Sequence, residues 1–332
     1  MNDYRSEYKG KNILITGGAG CIGSNLTRAL AEAEAAKVVV IDDLSAAQKW
    51  NVPKDPSVVF IEGDILDEEI LKRAFNTRFD VVFHLAAHFA NQNSVDNPET
   101  DLLVNGLGTL RVLQYAHLTK SGRFVLASSG CSVYGSQAPL PLKEDFVSLH
   151  LDTPYQITKL LGEVYCNFFH DYYGLPVAIA RYFNVYGPGE IPGAYRNVIP
   201  NFMWWAMHNK PLPITGTGEE TRDFTFVEDI VDGTLRLGIL PEAVGGAFNL
   251  ASETETKICD IASKVNEITG NKQGTRLVPR RDWDKIIRRR ASIEKAGKVL
   301  GYQPRTKIDE GIKRVHQWIL QNRERIEEDA IF

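Results

Sequence analysis

Cysteine, long apolar runs and excess positive charge are all scarce in this chain of 332 residues, and each scarcity excludes something. The four cysteines, Cys21, Cys131, Cys166 and Cys259, are scattered, with no Cys-x-x-Cys pair and no Cys/His spacing suited to a metal. A disulfide-stapled scaffold and a zinc site are therefore not expected; free thiols in a reducing cytoplasm are. No apolar run approaches the ~20 residues that a spanning helix needs. The N-terminal stretch is polar and charged, unlike a signal peptide. Lys and Arg number 38 against 42 Asp and Glu, a net charge of −4, which argues against nucleic acid as the main partner. The expectation is a cytoplasmic protein with no membrane and no nucleic-acid partner.

Glycine, by contrast, is placed with purpose. Ile13 to Thr16 is a short apolar run that enters Gly17, Gly20 and Gly23, and a helical pattern follows from Asn25 to Glu34. A strand, a tight glycine turn and a helix N-terminus together cradle a dinucleotide pyrophosphate. Lys37 to Asp43 then reads as a β-branched strand ending in Asp42 and Asp43, about 20 residues on, where a carboxylate binds the ribose 2′-hydroxyl of NAD. Two carboxylates would repel a 2′-phosphate, so NAD is preferred to NADP. Strands over 57–62, 80–85 and 123–128 alternate with helical patterns over 66–75 and 97–120. Repeated β-α-β units with near-continuously apolar strands predict an α/β fold, a doubly wound parallel sheet covered on both faces. Ligands in such sheets sit at the carboxyl ends of the strands.

Tyr155 and Lys159 are spaced i and i+4, so a helix places them on one face. The lysine charge would favour the ionised phenol, and a tyrosine so tuned can serve as general acid or base. Taken with the glycine turn, Asp64-Ile65, His84-Leu85-Ala86-Ala87, Asn105, Ser128-Ser129 and Arg181 to Pro188, the pair occurs in an order that resembles the extended short-chain dehydrogenases/reductases, specifically the nucleotide-sugar epimerase/dehydratase family. Gly216-Thr217-Gly218, Arg222-Asp223-Phe224, Phe248-Asn249-Leu250 and Leu300-Gly301-Tyr302 extend the resemblance nearly end to end.

The resemblance implies a Rossmann-type domain over 1–182, completed by about 225–250, and a smaller nucleotide-sugar-binding lobe from 183–224 and 251–332. It implies that NAD contacts Gly17, Gly20, Cys21, Ile22, Gly23, Asp42, Asp43, Asp64, Ile65, Leu85, Ala86, Ala87, Asn105 and Tyr182. Tyr155 would be the acid/base, Lys159 would bind the nicotinamide ribose and tune it, and Ser129 would hydrogen-bond the reacting sugar oxygen. Asn91, Asn93 and Ser94, after the fourth strand, are expected at the sugar. Phe183, Asn184, Asn197 and Val198 would hold the rest of the nucleotide sugar, with Arg222 and either Arg281 or Arg288 on its diphosphate. His88 reads as a structural histidine more readily than as a ligand.

One window departs from the pattern. Dehydratases and decarboxylases of the family carry an acidic residue just after the fifth strand, whereas here the segment reads Ser129-Gly130-Cys131-Ser132. The missing carboxylate counts against 4,6-dehydration and decarboxylation. What remains is 4-epimerisation of a nucleotide-diphosphate sugar, by oxidation at C4 and re-reduction from the opposite face. The alternative is a 3,5-epimerase, or a 4-dehydrogenase or dehydratase, in which Cys131 is an additional acid/base, as a tuned thiol can be. The leucine pattern of 102–115, with Leu160, Leu161, Val164 and Phe168, would supply a homodimer seam.

Overall fold

The computed structural model describes residues 4–332. Its centre is a seven-stranded parallel sheet built from β1 (Asn12–Thr16), β2 (Lys37–Asp42), β3 (Val58–Glu62), β4 (Val81–His84), β5 (Phe124–Ser129), β6 (Val177–Tyr182) and the late strand Ala247–Leu250. Across the sheet the order is Ala247–Leu250, β6, β5, β4, β1, β2, β3. The winding reverses between β1 and β4, and the crevice at such a reversal is where these sheets bind ligands. Residues in β1, β4, β5 and β6 are almost all buried, as strands covered on both faces must be.

One apolar layer packs helix α1 (Cys21–Glu32) and the Val227–Ile239 helix on the sheet, through Leu26, Leu30, Ile230 and Leu235. The opposite layer uses Leu71, Val112, Leu113, Cys166 and Phe169. Beyond Tyr182 a third apolar cluster, around Ile199, Met203, Phe224, Ile261 and Val315, organises the second lobe. Its strands are short pairs: Val185–Tyr186 with Thr225–Phe226, Thr221–Asp223 with Glu255–Lys257, and Leu212–Thr215 with Thr275–Val278. No helix among the described residues is long and apolar enough to cross a membrane.

The helix expected over 97–120 is not uniform. A turn at Pro98–Asp101 passes into a π-helical stretch, Leu102–Gly108, before regular helix resumes at Thr109–Leu118. A side chain at Gly108 would come within 2.6 Å of Ile65, so the wider turn and the missing Cβ let this helix approach the end of β3 closely.

The sheet and the Pro154–Tyr173 helix are locked by a buried ion pair. Arg181 on β6 donates through Nε and Nη2 to the two carboxylate oxygens of Glu163, at 3.0 and 2.8 Å. Nη1 of the same guanidinium donates to the Tyr134 hydroxyl, which donates in turn to Asn249 Oδ1 at 2.7 Å. Ser128 Oγ donates to Glu163 as well. The network joins β5, β6, the last strand and the helix that carries Tyr155.

Candidate active site

A cavity of about 1180 Å³ opens at the carboxyl ends of the strands, between the sheet and the second lobe. It gathers Gly17, Gly20, Cys21, Ile22, Gly23, Asp42, Asp43, Asp64, Ile65, Leu85, Ala86 and Ala87 at one end. Ser129, Cys131, Tyr155, Lys159 and Tyr182 lie along its wall, with Asn91, Asn93, Asn184, Asn197, Val198, Arg222 and Arg281.

Four expected site residues lie outside it. Asn105 is buried as a structural hub: Oδ1 accepts from the His88 N–H at 2.8 Å, and Nδ2 donates to the His88 carbonyl and to Asp101. Ser94 is fully buried, donating to the Asn91 carbonyl and accepting from the Tyr155 N–H at 3.0 Å, so it anchors the helix that carries Tyr155 and does not line the cavity. Phe183 is fully buried against Tyr134 and Gly130. Arg288 points to solvent and pairs with Glu255 at 2.6 Å.

The glycine end fits a dinucleotide. Gly17 has φ +73°, and a Cβ there would stand 2.6 Å from the Ala86 nitrogen, so glycine lets β1 and β4 approach. A Cβ on Gly23 would strike the Gly17 carbonyl oxygen at 2.2 Å. At Gly20 the only neighbour of an added Cβ is that same oxygen, at 3.6 Å; elsewhere it would project into open space. Helix α1 starts there with no side-chain cap and no acidic residue in its first turn, leaving N–H groups and the positive end of the helix dipole free for phosphate. Asp42 is tied to the turn: its oxygens accept from the Ala19 and Leu44 N–H groups at 2.9 and 3.0 Å. Asp43 caps Ser45 in the same way. Both carboxylates line the cavity, a poor surroundings for a 2′-phosphate and a good one for ribose hydroxyls.

Towards the sugar end the tuning differs from expectation. Lys159 Nζ donates to the Ala127 carbonyl at 3.0 Å and stands 5.6 Å from the centre of the Tyr155 ring. Burial lowers its pKa to about 8. The Tyr155 phenol is pushed well above its ordinary value, first by burial and then by the negative charges of Asp101 and Cys131. In the protein alone, then, Lys159 does not offset desolvation and Tyr155 keeps its proton. Asp101 accepts from Thr158 Oγ1 at 2.6 Å, and burial raises its pKa too. His84 behind the site is neutral, its pKa lowered to about 3 by burial. Because Thr109 donates its hydroxyl proton to the Asn105 carbonyl, His84 Nε2 must donate to Thr109, and Nδ1 accepts from Thr16.

The strand-end window that departs from the family pattern is structurally determined. A Cβ on Gly130 would fall 2.0 Å from the Phe183 ring, so only glycine lets the chain turn here. That turn presents Cys131 to the cavity, where Sγ donates to Asn184 Oδ1 at 3.3 Å. Asn184 holds a positive φ of 26°.

Two buried charged residues of the cavity were not singled out from the sequence, although Arg289 lies in its basic run. Glu190 follows the Tyr-Gly-Pro-Gly stretch and is 8 % exposed; it accepts from the Asn197 backbone and side chain, and burial raises its pKa to about 7. Arg289, 2 % exposed, donates to the Cys131 carbonyl at 3.0 Å. The segment around Ala291 is extended and bridges to Leu142, so neighbouring residues alternate in direction. Arg288 therefore faces out while Arg289 faces in. Trp283 closes the cavity across the lobes, donating from Nε1 to Gln92 at 2.9 Å.

The family described as NAD dependent epimerase/dehydratase matches residues 13–251. A UDP-glucose 4-epimerase of Mycolicibacterium smegmatis is 34% identical over 305 residues, covering 91% of this chain and 96% of its own. The structure of the epimerase Mth375, from the thermophilic pseudomurein-containing methanogen Methanothermobacter thermautotrophicus, superposes with a TM-score of 0.98 at 55% identity, over 99% of this chain and 98% of that one. Bordetella bronchiseptica WbmF, solved in complex with NAD+ and UDP, superposes with a TM-score of 0.85 at 37% identity, over 97% and 96%.

Proposed function

The chain belongs to the NAD-dependent epimerase/dehydratase family, and we propose that its reaction is 4-epimerisation of a uridine-diphosphate sugar. The observation that carries this reading is the strand-end segment Ser129 to Ser132, which brings hydroxyl and thiol groups to the cavity beside Tyr155 and no carboxylate. Dehydration and decarboxylation need a further acid or base at that place. Epimerisation at C4 needs only one proton carrier and a sugar free to turn.

The glycine turn, the free N-terminus of α1, Asp42, Asp43 and Lys159 would hold NAD. Oxidised NAD, when bound, supplies a hydride acceptor and a positive charge that favours the ionised phenol. Tyr155 Oη then takes the proton of the 4-hydroxyl as hydride leaves C4, and Ser129 Oγ orients that oxygen. Asn184 and Asn197 hold the sugar nucleotide, and Arg222 and Arg281 meet its diphosphate. Once the keto-sugar had turned over, the bound cofactor would supply the hydride for C4's other face and Tyr155 would return the proton, so there would be no net redox change. Incubating the protein with UDP-sugars in deuterium oxide and following C3, C4 and C5 by NMR tests this. Interconversion of C4 epimers is expected; a product altered at C3 or C5 would point elsewhere.

One observation favours a second reading, 3,5-epimerisation: the Cys131 thiol lines the cavity and faces Asn184. Under the 4-epimerase reading Cys131→Ala keeps C4 interconversion within about tenfold, since general acid–base groups contribute ~10²–10⁴. A loss of a hundredfold or more, measured by coupled assay, would make the thiol a proton carrier.

The Pro154–Tyr173 helix leaves Ile157, Val164, Phe168 and Tyr172 exposed on one stripe, beside exposed Leu102 and Leu107. Such a contiguous apolar face suits pairing with a second copy in a four-helix seam. Sedimentation should give a dimer, and Val164→Lys with Phe168→Lys should give a folded monomer.

A further inference from the structure

We infer that the sugar turned over here carries a carboxylate at C6, a hexuronic acid, and that Arg289 reads it. The inference rests on the nucleotide-sugar reading above and narrows its substrate class.

Arg289 is almost wholly buried and lines the cavity. Its one hydrogen bond runs from Nη2 to the Cys131 carbonyl, and no carboxylate stands within 4.0 Å of it among the described residues. The acidic groups that face it, Asp284 and Asp152, are already engaged, Asp284 by Arg222 and Arg280 and Asp152 by Lys285. Arg222 adds like charge. A guanidinium brings five N–H donors in a planar fork, and here most are left for something in the cavity. A buried cation whose nearest carboxylates are paired with other cations is costly, and a neutral hydroxyl would satisfy its donors while adding no counter-charge. An anion is the fitting occupant.

Position selects which anion. Arg222 and Arg281 already stand where the diphosphate is expected, Arg222 held by Asp284 and Arg281 against the Trp283 ring. Arg289 is instead fastened to the backbone of Cys131, two residues beyond Ser129, and Ser129, Cys131 and Tyr155 line the same cavity. It belongs to the sugar end, within the neighbourhood of the reacting C4. The carboxylate that a hexose can carry on its own carbon chain, with no added ether or ester, is C6, borne by C5 next to the reacting C4. A planar carboxylate there matches the guanidinium fork in bidentate fashion.

Equilibrium binding of UDP, UDP-glucose and UDP-glucuronate to the NAD-loaded protein and to Arg289→Met tests the assignment, with UDP-N-acetylglucosamine and its uronate as a second pair. The wild-type protein is expected to bind each uronate at least tenfold tighter than its neutral partner. Arg289→Met should weaken uronates by about 100-fold, the loss typical of a truncated buried charge pair, and change UDP and neutral sugars less than threefold. Equal wild-type affinity for uronate and neutral sugar, or no measurable binding of any of them, overturns the inference. So does an equal loss for UDP, which would place Arg289 on the diphosphate. If the variant does not fold, the wild-type comparison decides alone. Binding is read without turnover, so failure of C4 epimerisation with uronate preference intact would remove the reaction and leave the carboxylate site standing.

Discussion

Tyr155→Phe is expected to lower kcat for C4 interconversion by about 10²–10⁴-fold while leaving the fold and substrate affinity nearly unchanged. The change removes one oxygen. The ring remains, edge-on to Phe89 at 6.1 Å, and the Tyr155 N–H keeps its bond to Ser94. The Tyr155 hydroxyl has no hydrogen-bond partner among the described residues, so its loss orphans nothing. Its buried setting holds the proton until a positive charge arrives beside it. Steady-state kinetics together with nucleotide-sugar binding should show a fall in kcat with little change in affinity. Activity within threefold of wild type would remove Tyr155 as proton carrier.

The second large effect is structural. Glu163→Leu should cost about 3–5 kcal/mol, because Arg181 would remain buried without a counter-charge. Arg181 is 3 % exposed, and Glu163 supplies both of its charge-assisted bonds, so no solvent can replace them. Pairing Glu163→Leu with Arg181→Met should recover much of the loss, since exchanging a whole buried ion pair for apolar groups is often close to neutral. Urea midpoints of the two variants test this. A single variant as stable as wild type would mean that water reaches the pair.

These two residues lie on one helix, yet only Tyr155 was legible in the chain. The strands, their parallel order and the glycine turn can be read because buried strands must be apolar throughout and because a pyrophosphate cradle needs glycine at fixed places. Tyr155 and Lys159 share a face by helical spacing alone. Side-chain direction in irregular segments is another matter. Ser94 and Asn105 have the right polarity for a ligand, but Asn105 spends it on the His88 backbone after β4 and Ser94 on the Asn91 carbonyl and the Tyr155 N–H. Phe183 stands one residue beyond β6 and turns into the core, where it dictates glycine at 130. In the basic run, composition cannot separate Arg288 from Arg289; a single bridge between Leu142 and Ala291 does. The electrostatic tuning of Tyr155 escaped because the sequence reading placed a nearby positive charge without weighing desolvation. In the structure burial raises the phenol and lowers the lysine.

The central claim is that hydride leaves C4 and returns to C4 on the opposite face within one turnover. A UDP-sugar deuterated at C4, incubated with the NAD-loaded protein in ordinary water and followed by NMR and mass spectrometry, tests it most directly. The account predicts that the C4 epimer appears with deuterium retained at C4, with C3 and C5 unexchanged and with no accumulation of reduced cofactor. Loss of the label from C4, or exchange at C3 or C5 accompanying product formation, would contradict it.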